Sequence, residues 1–422
     1  MILVAASFAF EVEGAAQSFR NQENIVRRRT ELEEVNTLMQ QGIMVDEGSG
    51  LPYFTGYSYR TLYDWDQYFE SIMQIYMGWP SDYMKNGVLI FLQNQREDGF
   101  IARSVPGNEW HDLEHVKPFL SQIALMVVRE YGEKDWILEK NTFRRLRKYL
   151  DYWLEEMDED KNGLSEWMSA PHTGMDNQHE RAGWWGDRCC EGVDINCYLV
   201  RETRAFAALA EMAGDKKTAA LYRKKSDELA CRIREMLWDE EDGFFYDRRH
   251  TGADRFSATA PVISDVNNQP WKKGGLIPVR SISSFAVLWA QVATPEQARR
   301  MVRDYLFNPK EFWTGAPVAV LSKSCPWYVT VKYPTDMGCS WRANTWMPTN
   351  YMVYHGLRYY GMEDYASLLA HYTGALVRES GNREYYNSET GEGCGLDPFW
   401  GWSLLGHFIE TEDLIEEDIT VI

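Results

Sequence analysis

The chain lacks the local signatures of the commonest catalytic designs. Its eight histidines include no HExxH pair, and neither a GxSxG elbow nor a Gly-rich phosphate loop occurs. Zinc-protease, serine-esterase and nucleotide-phosphate chemistry thus lose their usual support. Cysteine is scarce and odd in number: Cys189, Cys190, Cys197, Cys231, Cys325, Cys339 and Cys394, with no CxxC. Adjacent Cys189 and Cys190 make a poor disulfide, so reduced thiols and a cytoplasmic setting are expected. No apolar run is long enough to cross a bilayer. The opening MILVAASFAF resembles a signal peptide only superficially, having no basic start and being followed at once by Glu11 and Glu13. Positive charge is in deficit, 44 basic against 63 acidic residues for a net −19. Such a surface repels nucleic acid and anionic membrane, and an anionic substrate would need a local cluster of donors. Pro/Ser-rich linkers and low-complexity tracts are absent too, which points to one domain over residues 1–422.

What the chain does have is aromatic and helical. Aromatics make up 14%, including 17 Trp and 24 Tyr, enough for a core and a binding cleft. A 3.6-residue stripe runs through Phe143, Leu146, Leu150, Trp153, Leu154 and Met157, and another through Leu221, Leu229, Ile233 and Leu237. Thr294-Pro295-Glu296-Gln297 reads as a capping box with Pro at the first helical position. Met362–Val377 and Phe399–Ile409 read as further helices, and residues 1–50 as the first helix and its approach. Strand-like alternation is best at Tyr328-Val329-Thr330-Val331. REDGF (96–100), DKNGL (160–164) and EDGFF (241–245) repeat one punctuation, in which Gly ends an element and an apolar residue re-enters the core. The expected fold is all-α, twelve helices in two concentric rings forming an (α/α)6 barrel, although an open helical array fits the same local pattern.

Four constellations can carry chemistry. Ser58–Ile72 offers Trp65, Asp66, Tyr68 and Phe69, a stacking surface beside a carboxylate that can accept from sugar hydroxyls; an amphipathic helix start is the plain alternative. Gln95, Asp98 and Arg103 follow in a loop that could clamp hydroxyls, with Arg96 read as solvated. Asp176 lies in GMDNQ between Trp167 and Trp184-Trp185-Gly186-Asp187, and a carboxyl against aromatic surface stays protonated as a general acid must. An Asx-turn is its plain alternative. In NREYYNSETGEG (382–393), Glu384, Glu389 and Glu392 compete as base, with Arg383 beside Glu384 and with Tyr385 and Tyr386 able to hold water or substrate. Phe312-Trp313-Thr314-Gly315 and Trp341-Arg342-Ala343-Asn344-Thr345-Trp346 resemble sugar platforms, though about half of such Trp residues would be core. Asp158–Gly163 imitates the start of an EF-hand, but Ser169 stands where a bidentate Glu belongs, so a turn is expected.

The ordered motifs YDWDQYF (63–69), QREDGF (95–100), TGMDNQ (173–178), VDIN (193–196), WRANTW (341–346), EYYNSETGEG (384–393) and FWGWS (399–403) are similar to a known clan. The chain resembles the inverting (α/α)6-barrel glycosidases that include trehalases and glycoside hydrolase family 63. The likeness is to the compact bacterial branch acting on mannosylglycerate and glucosylglycerate, and it extends over residues 50–410. It implies Asp176 as general acid and Glu384 as general base. Trp65, Asp66, Tyr63, Gln95, Asp98, Gln122, Trp341, Arg342, Tyr385, Tyr386 and Trp400 would bind the sugar. Inversion implies carboxyl groups roughly 6.5–9.5 Å apart. Gln178 stands where Ser is usual and Ser388 where Pro is common, departures that bear on the aglycone. No cofactor is implied, and the expected partner is a small α-linked sugar, with another copy of the chain compatible as an assembly partner. Other readings are an α-glucosidase for α-glucobioses, a sugar epimerase on this barrel using cleft histidines, and a non-catalytic sugar-binding protein.

Overall fold

The computed structural model describes residues 32–108, 111–183, 190–249, 273–330, 340–415 and 418–422. The opening decapeptide, Trp184–Asp187, Cys189, Val331 and Cys339 lie outside them. Among the described residues, twelve helices make two rings, six inner and six outer, and short helical turns at Asp135–Leu138, Ala170–Thr173 and His179–Ala182 lie in the connections. In chain order the twelve are α1 (32–39), α2 (Asp64–Tyr76), α3 (Asp82–Gln93), α4 (Leu120–Tyr131), α5 (Lys140–Glu155) and α6 (Val193–Met212). There follow α7 (Lys216–Met236), α8 (Ala286–Trp289, entered through a 3-10 turn), α9 (Pro295–Met301), α10 (Met347–Tyr359), α11 (Glu363–Ser380) and α12 (Leu405–Ile415).

The ring closes. Helix α2 packs on α4, α4 on α6, α6 on α8, α8 on α10, α10 on α12, and α12 returns to α2. Inner helices are buried on nearly every face, as α2 is from Asp64 to Gln74, because they are covered by neighbours, by the barrel axis and by the outer layer. Outer helices carry one apolar stripe: α5 buries Leu146, Tyr149, Leu150 and Trp153. Strand among the described residues is confined to two-stranded ribbons of two or three residues, among them Leu62–Tyr63 with Ser104–Val105, and Tyr385–Tyr386 with Gly393–Cys394.

Local rules hold where they are chemical. The Thr294 hydroxyl accepts from Gln297 N at 3.2 Å while the Gln297 side chain accepts from Thr294 N at 2.9 Å. Gly99, Gly163 and Gly243 all have positive φ, and the residues after them, Phe100, Leu164 and Phe244, are buried.

Several expectations are corrected. Leu221 is exposed, since the buried face of α7 passes through Tyr222, Ser226, Leu229 and Ile233, about a third of a turn away. Tyr328–Thr330 forms no strand; the Tyr328 hydroxyl is drawn to Ser388 and Glu389 instead. The last helix begins later than Phe399 and ends later than Ile409, because Gly401 (φ −90°, ψ −143°) breaks the helical path before Trp402. Phe312 and Trp313 are core, packed on Phe285 and on Phe307. Asp158–Gly163, by contrast, is the expected turn, in which Asp158 accepts from Gly163 N at 3.0 Å.

Candidate active site

The inner helices start at one end of the barrel, and the candidate residues gather there. Trp65 and Asp66 occupy the first turn of α2, VDIN opens α6, Trp346 immediately precedes α10, and Trp402 lies just before α12. Helix N-termini present unpaired N–H groups and partial positive charge, a setting that favours ionised carboxylates.

The floor is a column of rings. Trp341 stacks on Trp346 at 3.6 Å and 10°, and Trp346 stacks on Tyr385 at 4.6 Å and 15°. Trp65 leans on Trp341 at 5.7 Å, and Trp402 reaches both Trp65 and Trp346. The lip consists of tyrosines: Tyr57 stacks on Tyr59 at 4.8 Å and meets Tyr63 edge-on at 5.4 Å.

Asp176 and Glu384 hang from opposite ends of this column. The turn carrying Asp176 is tied to Trp341, whose N–H donates to Asn177 Oδ1 at 2.8 Å. Gly174, at φ +84°, lets that turn lie on Trp65, where a Cβ would come within 2.7 Å of the ring. Glu384 directly precedes Tyr385, its carbonyl accepts from Trp402 Nε1 at 2.8 Å, and its Oε2 accepts from Leu396 N at 3.2 Å. Gly395 makes room for it, since a Cβ there would lie 2.4 Å from that oxygen. Both carboxylates are half-buried. They share the tyrosine lip: Glu384 acts electrostatically on Tyr57 and Tyr59, and Asp176 on Tyr63.

Asp66 acts on the same three tyrosines. Burial, then the adjacent Asp64 charge, hold its carboxyl well above the usual carboxylate range, against the pull of Lys117 and Arg103. Its Oδ1 is buried with no hydrogen-bond partner among the described residues. Such an acceptor, set among rings, is suited to a sugar hydroxyl. One helical turn on, Glu70 is buried and raised by burial and by Asp66, and it accepts from Gly56 N at 2.7 Å at the root of the tyrosine lip. Lys117 reaches Asp64 at 3.1 Å and lies 5.5 Å from the Trp65 ring.

Of the expected residues, Tyr63, Trp65, Asp66, Asp176, Trp341, Glu384 and Tyr385 converge. The others are directed elsewhere. Gln95 donates to Gly99 O in its own loop and to Arg145 O on α5, and exposed Asp98 accepts from Phe100 N within the loop turn. Gln122 is in the inner core with Pro118 O and Arg201. The Tyr386 hydroxyl donates to Gly381 O, and Trp400 donates to Thr55 O. Arg342 pairs with Glu180 at 2.6 Å beneath the Asp176 turn. Arg383 turns from Glu384 to Asp397 at 2.9 Å. Glu389 is exposed and paired with Lys323 at 2.8 Å, and Glu392 is exposed, which leaves Glu384 as the carboxylate facing the lip. Composition alone missed Tyr57, Lys117 and Glu70, for which the sequence carried no distinguishing pattern. His115, held near 4 by burial, and His172, also lowered by burial, are neutral core residues, contrary to what an epimerase would need.

A family profile described as mannosylglycerate hydrolase MGH1-like glycoside hydrolase domain matches residues 59–403. The chain belongs to this MGH1-like glycoside hydrolase family. A mannosylglycerate hydrolase of Rubrobacter radiotolerans is 30% identical over 219 residues, 51% of this chain and 42% of that protein. The chain therefore spans less than half the length of that curated relative. Among solved structures, the GH63 mannosylglycerate hydrolase of Thermus thermophilus in complex with glucose superposes with a TM-score of 0.68 at 18% identity, covering 90% of this chain and 99% of the other. The neutral trehalase of Saccharomyces cerevisiae gives 0.62 at 18%, covering 88% and 76%. These likenesses fix the fold of this MGH1-like chain as the (α/α)6 barrel. No helix among the described residues is long and apolar enough to cross a membrane.

Proposed function

We propose that this MGH1-like chain is an inverting α-glycosidase whose substrate is a small hexosyl glycerate, α-mannosylglycerate or its gluco counterpart. The observation that carries the proposal is the shared column: the Asp176 turn is tied to Trp341 at one end of the ring stack, Glu384 adjoins Tyr385 at the other, and both act on the tyrosine lip on which Asp66 also acts. Asp176 donates its proton to the glycosidic oxygen as the C1–O bond breaks. Glu384 takes a proton from the water that attacks C1 from the opposite face. Trp65 and Trp341 offer the sugar an apolar wall, and Asp66 accepts one of its hydroxyls. The family and the Thermus thermophilus complexes, one holding Tris and D-glycerate, support the choice of substrate class.

The test is a panel of α-mannosylglycerate, α-glucosylglycerate, trehalose and kojibiose assayed for free hexose with wild type, Asp176→Asn and Glu384→Gln. Each substitution is expected to lower kcat by about a hundred- to ten-thousandfold while hexose binding persists. Full turnover in either variant removes that residue from the mechanism.

A further inference from the structure

The Asp176 turn is held from behind by side chains that never touch the cleft. Gln178, fully buried, donates through Nε2 to Trp341 O at 2.6 Å and accepts from the Ser281 hydroxyl at 2.9 Å. Asn177 Oδ1 takes the N–H of the same Trp341 at 2.8 Å, so both polar groups of one backbone residue are gripped by the two side chains after Asp176. On the other flank, Arg342 Nε donates to Asn177 O at 3.2 Å while its Nη2 pairs with buried Glu180 at 2.6 Å. Ser281 caps the 3-10 turn that leads into α8, so the clamp joins the acid turn to two separate inner-ring entries. Gln suits this place because its amide both donates to a carbonyl and accepts from a hydroxyl. Glu would set a carboxylate oxygen against the Trp341 carbonyl, and Met would leave both partners unpaired.

We propose that Gln178 is a positioning residue for Asp176, holding its turn in place against the Trp341 backbone, and that Arg342 serves the same turn rather than the sugar. The inference rests on Asp176 being the general acid. Its chemical consequence is selective. Breaking C1–O with an alkoxide leaving group needs a proton delivered to that oxygen. Breaking C1–F releases fluoride, which leaves as a stable anion without one. A misplaced acid therefore slows the first reaction and spares the second, whereas a general loss of folded enzyme slows both alike.

The experiment compares α-mannosylglycerate with α-mannosyl fluoride, and the gluco pair in parallel, for wild type, Gln178→Met, Ser281→Ala and Asp176→Asn. Gln178→Met is expected to lose about tenfold in kcat on the glycerate, with KM within twofold, and to stay within twofold on the fluoride. Ser281→Ala removes the bond to Gln178 together with the cap on Ser283 N, and keeps the inference testable if Gln178→Met folds poorly; about threefold is expected on the glycerate and none on the fluoride. Equal losses on both substrates, or no loss on either, overturn the positioning role. Asp176→Asn separates the two readings. If it too falls equally on both substrates, the acid assignment fails. If it alone is selective, only the clamp fails.

Discussion

At the residue scale the site depends on a few carboxyls with different tasks. Asp66 presents an acceptor with no partner among the described residues, while the Glu70 carboxyl, raised well above the usual range by burial and by Asp66, accepts from Gly56 N. Asp66→Ala is expected to lower kcat/KM about five- to hundredfold, matching the cost of about 1–3 kcal/mol for leaving a buried sugar hydroxyl without its partner. Glu70→Gln keeps a neutral acceptor in place and should stay within about twofold of wild type. A collapse with Glu70→Gln equal to that of Asp66→Ala would mean Glu70 works in its ionised form. The sequence made Asp66, Trp65, Asp176 and Glu384 visible because motif order around them carries information. It could not separate Glu384 from Glu389 and Glu392, since the Lys323 partner of Glu389 is 66 residues away in the chain. Gln95, Gln122 and Tyr386 misled for a related reason: their polar groups answer backbone carbonyls or core side chains that only folding brings near.

At the element scale, helix ends were more legible than helix faces. The Thr294 capping box and the glycine punctuation are local chemistry and can be read directly. Leu221 was misplaced because one residue on a helix turns the side chain by about 100°, and Tyr222 supplied the better buried face. The turns that carry Asp176 and Glu384 depend on glycine for space as much as for conformation. Gly174→Ala meets both a positive φ and a Trp65 contact at 2.7 Å, so it should cost about 1–3 kcal/mol of stability and at least tenfold in kcat/KM. Gly132→Ala supplies the control: its φ is +72°, but a Cβ there has nothing within 4 Å. It should lower stability alone. Denaturant midpoints and kcat/KM measured side by side check the pair, and an active, unperturbed Gly174→Ala would refute the close approach.

At the scale of the whole molecule, ring closure was the step no local pattern could supply, because it depends on α12 meeting α2 across more than 300 residues. The closing segment is anchored by charge. His355 on α10 lies 2.9 Å from Glu412 and 3.1 Å from Asp418. Burial alone would lower its pKa, but Asp418 and Glu412 overcome this and lift it to about 9. Asp418 is correspondingly held below the ordinary Asp value by His355, despite its burial. A histidine raised on folding stabilises fully below its unfolded pKa of about 6.5 and loses that contribution as pH rises through about 9. A depressed Asp418 adds stability that is present above about 3.9 and lost in stronger acid. The denaturation midpoint should therefore decline from pH 6.5 to 9, and His355→Gln should flatten that decline. An equal slope in wild type and variant would mean the anchor contributes nothing.

The claim on which the rest depends is that two carboxyls at opposite ends of one ring column act on one sugar through an intervening water. Following α-mannosylglycerate hydrolysis by proton NMR, faster than mutarotation, tests it directly. The β-hexose should form first, with the α-anomer growing in only as the sugar mutarotates. First appearance of the α-hexose would mean retention, and with it a covalent intermediate that this arrangement does not provide for.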